Sequence, residues 1–377
     1  DVQKAVIDFE YPEKCEIRSY KPTTKGNYVQ VRRVMAALEE AEKPLICIGG
    51  GVFAAHAENE IRELADLMQI PVITTMMGIS VFPDDQLFCG MIGTHGVKMA
   101  NAAVNECDVL FLVGARVGDR AVKTPLALEK TTKIIHIDID PAEIGKNIGA
   151  DLPLVGDAKL VLQQMTELAK PMKHDEWIAH IKTLGGERKY VEPAKGTVNP
   201  RVFIDRLAKK MPANVTVVAD VGQNQIWTCT EYKFRKEGRL LTSGGMGTMG
   251  YSVPAAIGAK MADNSRATVA ICGDGAFQMS FMELATAVQF GVDIKVVVMT
   301  NNRLGMVREL QTNGYHDRQT AVFLDGSPDF IKLAEAYGIP AMRVYDDDTM
   351  EKGVKMLAEH KGICLVEVVV DKDMPTL

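Results

Sequence analysis

The sequence predicts an α/β protein made of two doubly wound parallel-sheet domains. Short, nearly continuous apolar runs rich in Val and Ile recur along the chain, as in "PLICI", "VLFLV" and "KVVVM". Segments of helical period separate them, the pattern of strands covered by helices on both faces. A charged stretch holding Pro and Gly-Gly, "KPMKHDEWIAHIKTLGGERKYVEPAKGTVNP", then divides the runs into two groups.

In chain order, residues 1–28 read as an extended connector rich in Pro, Lys and Tyr. They start without Met or a signal peptide, so an earlier segment is expected before them. A first domain over residues 29–170 carries predicted strands Pro44–Ile48, Pro71–Thr74, Val109–Val113 and Lys133–Ile137, and a helix over Asn59–Gln69. Residues 171–197 are expected to link it to a second domain, 198–371. There the predicted strands are Thr216–Val218, Thr268–Cys272, Ile294–Met299 and Cys364–Val370, with a helix over Met282–Phe290 and a tail at 372–377. No short-period repeat or low-complexity tract interrupts this plan.

Bulk properties narrow the function classes. The 377 residues are 47% hydrophobic and 24% charged, ample for a globular core. A net charge of −6 without a basic tract argues against nucleic acid as the main partner. No apolar run is long enough for a membrane span. The seven Cys are scattered with no C-x-x-C, which reads as buried free thiols in a reducing compartment.

The chemistry concentrates between Ile271 and Asn302, "ICGDGAFQMSFMELATAVQFGVDIKVVVMTNN". A strand, a helix and a strand make a βαβ unit, and ligands of open parallel sheets bind beyond the carboxyl ends of strands. Asp274 follows one such end and Asn301 the next, 27 residues later, so both can meet at one edge. One carboxylate and one amide oxygen suit Mg²⁺, which completes its octahedron with phosphate and water oxygens. Gly273 and Gly275 would let a phosphate approach the backbone near Ala276. A Gly-Asp-Gly turn without a ligand is the plainer alternative. Two further stretches support a Mg²⁺–diphosphate site. "ADVGQNQ" places Gly222, Gln223 and Asn224 past another strand end, and Ser243–Gly250 holds four Gly. Met249 in that loop, taken alone, reads as a core plug.

In the first domain, Gly49, Gly50 and Gly51 follow a strand but do not form G-x-G-x-x-G. "VLFLVGARVGDR" repeats the arrangement with Gly114 and Arg116. "IIHIDIDP" ends a strand with Asp138 and Asp140, and "LPLVGDA" offers Asp157. Several strand ends bearing polar residues point to a dinucleotide site.

Taken together, these motifs resemble the thiamine diphosphate enzymes, whose signature runs from GDG to an Asn about thirty residues on. "SGGMGTMGYSVPAAIGA", "GDGAFQMSFMELATAV", "LGMVREL", "GMIGTHGVKMAN", "GARVGDR" and "HIDIDPAEIGKN" resemble the catalytic large subunit of acetolactate synthase, also called acetohydroxyacid synthase. The resemblance runs from "FEYPEK" to "VEVVVD" and covers that family's middle (FAD-binding-like) and C-terminal (thiamine diphosphate) domains. It implies decarboxylation of pyruvate on thiamine diphosphate and carboligation to a second 2-oxo acid, pyruvate or 2-oxobutyrate, the first common step toward branched-chain amino acids. By the same resemblance Asp274, Asn301 and the Arg303 carbonyl would hold Mg²⁺. Gly222, Gln223, Asn224, Gly273, Gly275 and Ala276 would meet the diphosphate, with Gly305 and Met306 nearby. Gly247, Thr248 and Met249 would lie against the thiamine, Met249 holding its bent conformer. FAD would be bound by Gly50, Gly51, Thr75, His95, Gly114, Arg116, Asp138, Ile139 and Asp157. His95 without the family would read as structural.

The chain departs from the family pattern in three places. Thr300-Asn301 stands where the family has paired Asn, which favours Asn301 over Asn302 as ligand. Val117-Gly118-Asp119 stands where it has Phe-Asp-Asp beside the flavin. Leu310 stands where it has the Trp that shapes the second-substrate and herbicide pocket, implying altered acceptor preference and weak sulfonylurea inhibition. The resemblance further implies a homodimer or tetramer through the thiamine diphosphate domains and a regulatory small subunit. Placement would be cytoplasmic, or organellar after removal of a transit peptide. The Glu that activates thiamine diphosphate belongs in the family to an N-terminal domain, expected to be absent here; Glu283 reads as structural. The chain alone is therefore expected to lack turnover. Competing readings are a flavin-using pyruvate oxidase, marked by a redox-active flavin, a simple 2-oxo acid decarboxylase, and a cofactor-binding fragment without catalysis.

Overall fold

The computed structural model of the chain describes residues 2–15, 17–186 and 190–377. The apolar runs form two six-stranded, all-parallel sheets. In the first, β1 (Pro44–Ile48), β2 (Val72–Thr74), β3 (Phe88–Met91), β4 (Val109–Val113), β5 (Lys133–Asp138) and β6 (Leu152–Val155) lie in the order β3-β2-β1-β4-β5-β6. The second holds β7 (Thr216–Ala219), β8 (Arg239–Thr242), β9 (Thr268–Gly273), β10 (Lys295–Thr300), β11 (Ala341–Val344) and β12 (Cys364–Val369). Their order is β11-β12-β10-β9-β7-β8. Each sheet therefore has a point where the chain reverses its direction of winding: between β1 and β4, and between β7 and β9. Crevices open at such points beyond the strand carboxyl ends.

Side chains alternate between two apolar layers. Ile46 and Ile48 face one cluster of the first sheet, and Leu45 and Cys47 the other. In the second sheet Val269 and Ile271 oppose Ala270 and Cys272. Helix starts follow local chemistry. Asn27 accepts hydrogen bonds from Val29 and Gln30 N–H at the helix Tyr28–Glu40. Asn199 caps Pro200–Lys210, with Pro at its first turn, and Asp346 forms a capping box with Thr349.

All eight anticipated strands are present, within a residue or so at their ends. The four unanticipated ones, β3, β6, β8 and β11, are the edge strands of the two sheets. The helix anticipated over Met282–Phe290 is a 3₁₀ turn (Phe281–Glu283) followed by a helix over Leu284–Gln289. The segment read as linker holds a helix, Asp175–Leu184, which buries Trp177 and Ile181 against the first domain; Trp177 Nε1 donates to Pro44 O at 3.0 Å. Residues 187–189 of that segment, and residues 1 and 16 of the connector, lie outside the described residues. Six Cys are buried, Cys15 is exposed, and all seven are free. Among the described residues no helix is long and apolar enough to cross a membrane.

The two domains interlock. Arg62, buried in the helix Glu58–Met68, donates from Nε to Val81 O (2.7 Å) and from a terminal nitrogen to Lys236 O (3.2 Å). Arg239 pairs with Glu58 at 2.8 Å, and Lys233 with Asp84 at 2.9 Å. Ile79 and Met91 of the first domain belong to an apolar cluster of the second.

Candidate functional site

The crevice between β7 and β9 gathers three strand ends. Past β7 the wall is formed by Gly222, Gln223 and Asn224. Past β9 it is formed by Gly273, Asp274, Gly275 and Ala276. Past β10 it is formed by Asn301, Arg303, Gly305 and Met306, and Met249 closes it from the glycine-rich loop. The cleft has a volume of about 110 Å³, and its wall is largely apolar around one carboxylate.

Asp274 is 1% exposed. Its Oδ2 accepts from the backbone N–H of Asn301 (3.1 Å) and Asn302 (2.6 Å), and Oδ1 from Gly275 N–H (2.8 Å). Burial pushes its carboxyl up to about 6, against the downward pull of those three donors. The β10 end is thus pinned to the carboxylate. Asn301 Nδ2 donates to Gln223 Oε1 (3.2 Å), and Asn301 Oδ1 accepts from Arg303 N–H (3.1 Å). Asn302 adopts φ 53° and is exposed, outside the cleft wall.

Gly222 has φ 146° and ψ −172°, and a Cβ there would come within 2.6 Å of Asn224 Oδ1. Asn224 Nδ2 in turn donates to Asp220 O (2.8 Å) and Ile271 O (3.2 Å), tying β7 to β9 beneath the cleft. A Cβ on Gly305 would overlap the Gln223 amide. Gln223 Nε2 lies within hydrogen-bond range of Met374 O (2.9 Å), Thr376 Oγ1 and Glu309 (both 3.2 Å), and Trp227 Nε1 donates to Pro375 O (3.1 Å). The tail at 372–377 therefore backs Gln223 and Trp227 in the cleft wall.

The donor set suits a hard divalent cation. Asp274 offers a carboxylate and Asn301 an amide oxygen in one cleft, the oxygen ligands that Mg²⁺ takes together with phosphate and water. Glycines at 222, 273 and 275 keep Cβ atoms out of the cradle. The helix beginning at Asp274 spans only four residues, Asp274–Phe277, so individual amides rather than a macrodipole would meet an anion.

Some anticipated residues lie apart. Gly247 and Thr248 sit in the loop before Met249 but outside the wall; Thr248 N–H donates to Ser243 Oγ at 3.1 Å. Leu310 is 62% exposed on the helix Gly305–Gly314, one turn beyond Met306. Thr286 Oγ1 donates to the Glu283 carboxylate at 2.9 Å.

The sequence reading overlooked Asp220. It is fully buried, and its carboxylate accepts from Val221 (2.8 Å), Gly250 (3.0 Å) and Ser252 (2.8 Å) N–H. It thereby clamps the end of the glycine-rich loop to β7. An acid directly after a strand and before Val-Gly was the available signal.

In the first domain the anticipated dinucleotide residues follow the carboxyl ends of all six strands, β1 to β6, on both sides of the β1/β4 reversal. Gly51 N–H donates to Gly114 O (3.0 Å), and a Cβ on Gly51 would stand 2.8 Å from Gly114 Cα, so these loops pack backbone to backbone. Gly50 precedes the short helix Gly51–Ala54, and Thr75 N–H donates to Ile48 O (2.9 Å). Asp138 Oδ1 accepts from Asp140 N–H (3.0 Å), and Asp157 caps the helix Ala158–Thr166 through Leu160 N–H (3.1 Å). Arg116 is largely exposed and pairs with Glu143 at 3.2 Å; Ile139 is also exposed. His95 is half-buried, and burial lowers its pKa; the charges that act on it are Glu309, Arg120 and Lys123. Val117, beside Arg116, takes φ 44°, a strained conformation for a β-branched residue.

Comparison with known proteins accords with this geometry. Residues 31–165 match the family description "Thiamine pyrophosphate enzyme, central domain", and residues 220–368 match "Thiamine pyrophosphate enzyme, C-terminal TPP binding domain". The chain is 40% identical to the probable acetolactate synthase large subunit of Methanocaldococcus jannaschii, over 98% of this chain and 65% of that protein. It is 39% identical to the acetolactate synthase large subunit of Corynebacterium glutamicum, over 91% of this chain and 57% of that protein. It is 34% identical to the isozyme 3 large subunit of Escherichia coli, over 97% and 66%. The chain thus spans between 57% and 66% of the length of these relatives. With both domain matches in chain order and the glycine-lined, carboxylate-bearing cleft at the sheet's reversal point, the chain belongs to the thiamine pyrophosphate enzyme family.

Proposed function

We propose that the chain is the cofactor-holding part of an acetolactate synthase catalytic subunit, condensing pyruvate with a second 2-oxo acid. The observation that carries this reading is the meeting of three strand ends around Asp274 in one cleft, in a chain similar to acetolactate synthase large subunits. Thiamine diphosphate, when bound, supplies the electron sink that lets pyruvate lose CO₂ and join a second 2-oxo acid.

The chain's own residues bind and orient. Asp274, Asn301 and the Arg303 carbonyl would hold Mg²⁺. A divalent cation would keep the Asp274 carboxyl ionised against the burial that raises it. Gln223 holds the Asn301 amide in place, and the backbone near Gly222, Gly275, Ala276 and Gly305 would meet the diphosphate. Met249 reaches over Gly275, its Cε standing 3.4 Å from where a Cβ there would be, so it would press on a bent cofactor. Leu304, Met306 and Val307 give that wall its apolar lining, which restricts water.

The dinucleotide proposed for the first domain is FAD, seated over Gly50, Gly51 and Gly114 at the β1/β4 reversal. The activating acid is proposed to lie outside these residues, and the small 2-oxo acids to enter where a second subunit's domain meets the cleft. A regulatory small subunit is proposed because relatives are named large subunits. Leu310, exposed and without an indole, is proposed to weaken sulfonylurea binding; a nanomolar inhibition constant in the assembled enzyme would contradict that. The test is acetolactate formation from pyruvate with Mg²⁺, thiamine diphosphate and FAD, for this chain alone and with a relative's N-terminal domain supplied. Product only with the added domain supports the reading; oxygen or quinone consumption without acetolactate points to an oxidase instead.

A further inference from the structure

The turn after β2, Thr75–Val81, belongs to the first domain but is built against the second. Its base is fixed in the first sheet: Thr75 N–H donates to Ile48 O (2.9 Å), and Gly78 N–H to Thr75 O (2.9 Å). A Cβ on Gly78 would overlap Ile48 O, and one on Gly50 would stand 3.1 Å from Met77 Cβ. The far end is fixed in the second domain. Ile79 is buried in an apolar cluster there, and Val81 O accepts from the buried Arg62, which also reaches Lys236 O. Ser80, held at φ 70°, accepts from Leu240 N–H through its Oγ at 2.9 Å. Leu240 lies on β8, an edge strand of the second sheet, so Ser80 supplies a hydrogen-bond partner on that strand. A strained non-glycine φ persists only where its surroundings hold it.

Met77 stands at the top of this turn. β8 ends at Thr242 and runs directly into the loop that carries Met249. Met77 Sδ lies against Gly244 so closely that a Cβ there would overlap it. Two anchors therefore meet the loop: Asp220 clamps its far end at Gly250 and Ser252, and Met77 backs its near end at Gly244. Between them Met246 is 87% exposed, so the loop has little other packing there. The thioether is flexible and fills the space opposite a residue without a side chain.

We propose that Met77 is a positioning residue. Held by the docked Thr75–Val81 turn, it sets the Gly244–Met249 loop in the conformation that receives thiamine diphosphate, and so makes the first domain a part of the second domain's cofactor site. The cofactor half of this statement rests on the function proposed above; the loop half does not.

Two measurements keep them apart. The first is hydrogen exchange of the ligand-free chain, followed at the amides of residues 244–249. Met77→Ala is expected to speed exchange there, with the β9 and β10 amides unchanged, and Met77→Leu to retain wild-type exchange. The second is titration with thiamine diphosphate and Mg²⁺ by tryptophan fluorescence, since Trp227 lines the cleft. Truncating a half-exposed Met is expected to weaken binding by about fivefold, with Met77→Leu restoring most of it. Gly244→Ala should also weaken binding, and Met77→Ala in the same chain should relieve that loss, because the overlapping atom is removed. Unchanged exchange in Met77→Ala overturns the proposal. So does a wild-type chain that binds while Met77→Ala binds equally well, or a Leu variant as impaired as the Ala variant. A wild-type chain that binds no thiamine diphosphate overturns the proposed function and the cofactor half of the inference, while the exchange result still decides the loop half.

Discussion

Replacing Gly222 by Ala would probe the floor of the cleft. At φ 146° and ψ −172° the backbone occupies a region that essentially only glycine enters, so a side chain there costs about 1–3 kcal/mol. The new Cβ would also stand 2.6 Å from Asn224 Oδ1. Moving Asn224 aside loosens its bonds to Asp220 O and Ile271 O, each worth roughly 0.5–1.5 kcal/mol. The total, about 2–6 kcal/mol, divides between two observables. If the loop keeps its shape, the strain appears as lost folding stability. If it relaxes, the cost of restoring the shape appears as weaker thiamine diphosphate binding, about tenfold per 1.4 kcal/mol. Denaturant unfolding and a thiamine diphosphate titration with Mg²⁺ together capture both parts. Gly326→Ala is the control, because it is exposed, nothing lies within 4 Å of a Cβ there and no left-handed φ is required. An unfolding midpoint and an affinity both equal to wild type in Gly222→Ala would refute the reasoning.

Two other perturbations have clear signs. Gly258 lies exposed within the helix Ser252–Ala262, with nothing within 4 Å of an added Cβ, so Gly258→Ala should stabilise the chain by about 0.5–1 kcal/mol in denaturant unfolding. His136 is buried on β5, and burial holds its pKa below the usual 6.5 despite the upward pull of Asp138, the Ala115 main chain and Glu143. Between the folded and unfolded values the unfolded chain binds more protons, so this contribution is present above about 6.5 and is lost as the pH falls. The unfolding midpoint should drop between pH 7 and 5, and His136→Leu should lessen that drop.

The interior of the fold was legible because interior parallel strands are covered on both faces. β1, β4 and β9 read as continuous apolar runs since nearly every position is buried. The edge strands β3, β6, β8 and β11 mix buried with partly exposed positions, and their short runs resemble loops. The cleft was legible through residues whose function demands an unusual type: Asp274 between two glycines, Gly222 after a strand, and Asn301 at matching depth. Asp220 escaped because its work is to hold backbone amides, which leaves no pattern beyond one acid at a strand end. Met77 escaped for another reason. Its partner Gly244 is far along the chain, and only the docking of one domain on the other brings them together.

The most direct test of the account is a calorimetric titration of the chain with thiamine diphosphate, with and without Mg²⁺, beside the same titration of Asp274→Asn. The account predicts saturable binding that requires Mg²⁺ and is lost in the variant while its unfolding transition persists. Binding that is indifferent to Mg²⁺ and to Asp274→Asn, or no binding by the wild-type chain, would contradict it.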